Sequence, residues 1–100
     1  MLESYFNKNV RYIRSLKNMT QKELADQLNV DRSTISKWEK GTINATIGNA
    51  LEVSKVLNVP IELLLSKDLS KYSTDEINAI LKKYSKEFDN LISNTFRNNR

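Results

Sequence analysis

The chain contains no cysteine and no histidine. Without thiols it has no disulfide and no thiolate nucleophile. Without imidazole it lacks the usual general base near neutral pH and the commonest nitrogen ligand for zinc. Those absences weigh against most enzyme classes and most zinc modules, and no metal or other cofactor is expected. Only two Gly and one Pro occur in 100 residues, which leaves no Gly-rich phosphate loop and few breaks in regular structure. No paired carboxylate site stands out among the scattered charges, so the expectation is that the chain is not an enzyme. A long apolar run is missing from the N-terminus as well. MLESYFNKNVRYIRSLK carries charges throughout, the pattern of neither a secretory signal nor a membrane span, and the expected location is cytoplasmic with no membrane contact. Nor is one sign of charge in strong excess. Sixteen basic side chains face twelve acidic ones for a net charge of +4, and residues 1–66 and 67–100 each carry +2. A surface for an acidic partner must therefore be local.

What is present is helical periodicity. Apolar residues recur at three and four positions, and no run of alternating β-branched residues suggests a sheet. Phe6, Val10, Ile13 and Leu16 share one face of a first helix over residues 4–18. Thr20 with Glu23 forms a capping box that starts a second helix over 21–28, and Asn29, tolerant of the left-handed conformation, closes it. Asp31 is expected to cap a third helix that runs to Glu39 and stops at Gly41. Thr46 opens a fourth through Leu51, Val53 and Leu57 to Asn58, and Pro60 opens a short fifth containing IELLL. The predicted fold is all-α: a five-helix domain over 1–66, a polar connector over 67–72, and one long helix over 73–100 opened by a second capping box, Ser73 with Glu76.

Within residues 20–41, TQKELADQLNVDRSTISKWEKG, the side chains that suit an interior are Leu24, Ala25, Leu28, Val30, Ile35 and Trp38. Trp38, three residues after Ile35, is read as core. The rest of the third helix is left to face outward: Arg32, Ser33, Ser36 and Lys37, with Thr34 at the edge. Short hydroxyls allow close approach, and long cations reach guanine O6 and N7, so this is the side-chain set for a helix in the DNA major groove.

The stretch resembles the helix-turn-helix of the phage repressor and Cro family. Thr20-Gln21, Glu23-Leu24-Ala25, Leu28, Val30, Ile35-Ser36, Trp38-Glu39 and Gly41 carry the likeness, with Arg14, Leu51, Leu57-Asn58-Val59 and Leu63-Leu64 around them. It covers about residues 6–65. It departs at Asn29, where Gly is usual, and at Ala45, where Pro is frequent. The resemblance implies a phage-repressor-like five-helix domain that binds double-stranded DNA as a dimer, with the third helix as reader. It places base reading at Arg32, Ser33 and Lys37, with Ser36 on the same face, and contacts to the phosphate backbone at Gln21, Lys40 and Thr42. Arg14 and Glu39 fall where the family forms an internal ion pair. Arg11, Lys17 and Lys22 are read as solvated charges.

Beyond the resemblance, Ile77, Leu81, Tyr84, Phe88, Leu91 and Thr95 are spaced by 4, 3, 4, 3 and 4 residues, a heptad seam. Ile80, Ile92 and Phe96 widen it beyond what a lone solvated helix tolerates. Either the helix folds back on its own domain or it pairs with a second copy. Because the first five helices look complete, self-association through Ile77, Leu81, Tyr84, Phe88 and Leu91 is the favoured expectation. The function expected is sequence-specific transcriptional regulation, as a dimeric repressor on an inverted-repeat operator. The alternative is an antitoxin or adaptor whose last helix grips a different protein.

Overall fold

The structure, a computed structural model, describes residues 4–85. In chain order it holds α1 (Phe6–Leu16), α2 (Gln21–Leu28), α3 (Arg32–Lys40), α4 (Ile47–Leu57), α5 (Ile61–Ser66), a 3₁₀ turn (Leu69–Lys71) and α6 over 74–85. Among the described residues there is no strand.

Helix starts follow the local chemistry read from the sequence, with one exception. Thr20 Oγ1 accepts from the Glu23 amide at 3.0 Å while Glu23 Oε1 accepts from the Thr20 amide at 3.2 Å. Ser73 and Glu76 form the same reciprocal pair at 3.1 and 3.0 Å, and Thr46 caps α4 through the Asn49 amide. Asp31 stands at the N-cap of α3 but makes no side-chain cap bond. Its carboxylate stays exposed, and the expected cap bond is absent. Helix ends use asparagine. Asn29 and Asn58 both close helices in the left-handed region at φ 58°, and Asn18 sits there between α1 and α2 at φ 54°.

One core collects the inner faces of all these elements. Phe6, Val10 and Ile13 bring α1 to Leu24 and Ala25 of α2, Ile35 and Trp38 of α3, Val53 and Leu57 of α4 and Leu63 and Leu64 of α5. Leu16, expected on the apolar face of the first helix, is exposed, as is Leu51 of α4.

Two expectations about the C-terminal part need correction. Residues 67–72 are no spacer. Leu69 is fully buried, and Asn9 of α1, itself fully buried, donates to the carbonyls of Leu64 at 2.8 Å and Lys67 at 2.6 Å while its oxygen accepts from the Leu69 amide at 2.9 Å. One amide side chain thus satisfies the end of α5 and the start of the 3₁₀ turn. Lys8 pairs with Asp68 at 3.2 Å, and the Tyr12 hydroxyl donates to the Tyr72 carbonyl at 2.8 Å, so the segment straps across α1. It read as a connector because its polar side chains outnumber its single anchor, Leu69.

The second correction is Ile77. It is 4% exposed and belongs to the core of its own chain. A side chain enclosed in this way is not available to a partner, so Ile77 is a folding residue and not a dimer contact. Leu81 and Tyr84 are partly buried against the same core, as is Ile80. Over the described part of the seam the helix folds back, because the strap delivers it onto the domain directly. Phe88 and Leu91 lie outside the described residues.

Candidate nucleic-acid interface

Three residues, Asn29, Val30 and Asp31, join α2 to α3. The left-handed Asn29 turns the chain, and the Val30 amide bonds back to the Ala25 carbonyl at 3.0 Å, which closes the turn. Ala25, buried at the crossing, has only a methyl group and so permits the close approach of α3. Ile35 and Trp38, three residues apart, pin the inner face of α3. The opposite face is thereby fixed outward.

On that face Arg32, Ser33 and Lys37 are exposed and Ser36 is half-buried at its edge. Lys40, at the end of α3, and Thr42, just after it, are exposed as well. The ion pairs among the described residues join Lys8 to Asp68, Arg14 to Glu39, Lys22 to Asp26 and Lys55 to Glu52. Arg32, Lys37 and Lys40 belong to none of them, so a concentrated set of uncommitted cations lies along one helix and its C-terminal end. Gly41, at φ 75°, lets the chain leave α3 sharply. A Cβ there would be strained by that φ and would lie 2.9 Å from the Asn7 side-chain nitrogen.

The far end of α3 is latched to α1. Arg14 Nε donates to Glu39 Oε2 at 2.8 Å and its Nη2 donates to Oε1 at 3.0 Å, a bidentate pair, while Nη1 donates to the Met19 carbonyl at 2.7 Å. The Glu39 side chain is 3% exposed. Its bonds, above all, raise the pKa of Arg14 against the opposing effect of burial, so the guanidinium stays charged. The internal ion pair expected from the resemblance is therefore formed.

Gln21 enters this latch in a way the sequence did not suggest. Its side-chain nitrogen donates to Glu39 Oε1 at 3.0 Å, and the residue is half-buried. The expected phosphate seat is thus first a support that holds the start of α2 to the end of α3. The signal was available in hindsight: a buried carboxylate has more acceptor sites than one guanidinium fills, and Gln21 is the neighbouring donor. Asn9 was missed for a comparable reason, since its partners are backbone groups about 55 to 60 residues away.

The sequence model of the helix-turn-helix family matches residues 10–64, more than half of the chain and the whole of this arrangement. The chain belongs to that family, of the phage repressor and Cro type. Among relatives of this helix-turn-helix protein, the HTH-type transcriptional activator BcrR of Enterococcus faecalis is 39% identical over 79 residues, which are 78% of this chain and 39% of BcrR. The chain thus spans well under half the length of that relative. Among solved structures, the P22 c2 repressor in complex with a synthetic operator shares 26% identity at a TM-score of 0.58, covering 61% of this chain and 92% of that one. A chain of the SinR protein/SinI protein complex reaches a TM-score of 0.64 over 95% of this chain and 99% of that one, at 20% identity, a likeness of fold.

No helix among the described residues is long and apolar enough to cross a membrane. No group of carboxylates among them is arranged to hold a metal ion.

Proposed function

We propose that this helix-turn-helix protein is a sequence-specific, double-stranded DNA-binding transcriptional regulator that works as a dimer on an inverted repeat and represses by occupying its operator. The observation that carries this reading is the outward face of α3, where Arg32, Ser33 and Lys37 stand exposed and without ion pairs while Ile35 and Trp38 anchor the other side. In the groove Arg32 presents a planar fork to a guanine edge, Lys37 reaches a neighbouring base, and Ser33 and Ser36 make short contacts. Lys40 and Thr42, together with the second amide hydrogen of Gln21, bind phosphate and fix the register. One such helix reads few base pairs, so two copies on adjacent half-sites supply a usable specificity. The likeness to the P22 c2 repressor, whose structure includes an operator, supports the same reading.

The test is selection of binding sites from random duplex DNA followed by footprinting. Two protected half-sites separated by about one helical turn, roughly 34 Å, are expected. A single protected half-site at saturating protein, or no enriched sequence at all, overturns the proposal.

A further inference from the structure

Arg11 of α1 reads from the sequence as a solvated charge, but its neighbours give it a place. Asn7, Arg11 and Arg14 are spaced by four and three residues, so they form one stripe along the helix. Both ends of that stripe are fixed to the last part of α3. Asn7 lies against Gly41, its side-chain nitrogen 2.9 Å from the point where a Cβ would stand, and Arg14 is bound to Glu39 at 2.8 Å. Arg11, between them, is therefore carried alongside residues 39–41. A second feature agrees: Asn7, Lys8, Arg11, Ser15 and Glu39 are among the residues that line one shallow groove of about 420 Å³.

The charges of this groove are not balanced. Glu39 is the carboxylate in its lining, and it is already held by Arg14 and Gln21, with a side chain 3% exposed and so closed to a second guanidinium. Lys8 is turned to Asp68 of the strap. Arg11 is exposed and belongs to none of the ion pairs among the described residues, where only its backbone carbonyl is engaged by a side chain, that of Ser15 at 2.8 Å. Its cation is uncommitted.

We infer that Arg11 is a further contact to the DNA backbone, one that binds a phosphate next to the phosphate held by Lys40. The inference rests on the proposed binding of duplex DNA through α3 and extends that interface onto α1. With Arg32 and Ser33 at the start of α3 directed to base edges, the other end of the helix rises from the groove toward a phosphate strand, where Lys40 and Thr42 stand. A cation carried alongside that end meets the same strand. The planar fork of arginine fits two phosphate oxygens at once, and no internal carboxylate competes for it. Such a contact adds affinity and register but no base preference.

Titrations of the full chain against the selected duplex and a scrambled one, at several salt concentrations, test the assignment. Arg11→Ala should lower the salt slope by about one unit on both duplexes. Base preference and melting temperature should stay at the wild-type values, because the side chain is exposed and has no internal partner to lose. Arg11→Lys should restore the slope, and Arg11→Ala combined with Lys40→Ala should lower it by about two units. Lys55→Ala is the control: it removes a positive charge from the groove between α4 and α6, away from α3, and should leave the slope unchanged. An unchanged slope in Arg11→Ala overturns the assignment, and so does an equal loss in Lys55→Ala, which would mark long-range attraction alone. In either case the expected loss in Lys40→Ala would leave the DNA-binding reading standing. If the wild type binds neither duplex, both readings fall.

Discussion

Gln21 and Arg14 donate to the same oxygen of Glu39, each at 3.0 Å. Three helices therefore converge on one buried carboxylate, and the position of α3 depends on a residue at the start of α2 that the family resemblance assigned to DNA. Gln21→Ala should cost about 1–2 kcal/mol of stability, the scale of a hydrogen bond to a charged group. Urea unfolding measures it directly. An unchanged midpoint together with weaker DNA binding would return Gln21 to a phosphate role alone.

Arg14→Ala should cost more, about 3 kcal/mol or above, because the carboxylate of Glu39 would stay enclosed with its main partner gone. The same unfolding experiment gives the number. A loss below about 1 kcal/mol, typical of surface pairs, would show that the latch opens to water.

Asn9→Ala removes one side chain that serves two carbonyls and one amide. Leaving those groups unpaired should destabilise the fold by about 3 kcal/mol. Hydrogen exchange should show the largest loss of protection at the Leu69 amide. Retained protection there would mean that Asn9 is not its acceptor in solution.

Ile77→Ala should cost about 2–5 kcal/mol, in the range for emptying a packed aliphatic site. Because Ile77 lies in the core of its own chain, the loss should be independent of protein concentration. A cost that grew with concentration would place Ile77 between chains after all.

Arg32→Ala should relax base preference at one position of each half-site and cost about 1–3 kcal/mol per contact. Lys40→Ala should weaken selected and scrambled duplexes alike and lower the salt slope by about one unit. Titrations of both duplexes at several salt concentrations separate the two. An exchange of these phenotypes would displace α3 from the groove.

Two carboxylates tie stability to acid. The Ser70 hydroxyl, and after it Lys8, hold the Asp68 carboxyl below its ordinary range, and the Ser73 amide and hydroxyl do the same for Glu76. Groups lowered in the folded state add stability that is complete above the ordinary carboxylate pKa, near about 4, and disappears as pH falls through the lowered values. The melting temperature should drop below about pH 4. The drop should be shallower in Asp68→Asn and Glu76→Gln. Equal slopes in all three proteins would remove these groups from the acid response.

Local chemistry explains which features were legible in the sequence. Capping boxes at Thr20 and Ser73, the turn at Asn29 and the inward pair Ile35 and Trp38 act over a few residues, so spacing alone reveals them. The Arg14–Glu39 pair was reached only through the family resemblance. Asn9, the anchoring role of Leu69 and the inward turn of Ile77 depend on partners far along the chain, and no local pattern carries that information. Asp31 shows the converse: a residue type favoured at helix starts stands at the N-cap of α3 without forming the bond.

The bonds from α1 to the strap have a consequence for the order of folding. Lys8, Asn9 and Tyr12 each meet a partner 60 residues ahead, whereas the α2–α3 hairpin closes through the three-residue turn between Leu28 and Arg32. Closing the long loop carries the larger entropy cost and comes late, so the hairpin is the natural nucleus. On the ribosome the reader helix would thus take shape early but stay loosely held, and α1 could not lock until Tyr72 had cleared the exit tunnel. High φ-values in α2 and α3 with low ones at Asn9 and Leu69 would show this sequence of events, in which competence for DNA is among the last properties the nascent chain acquires.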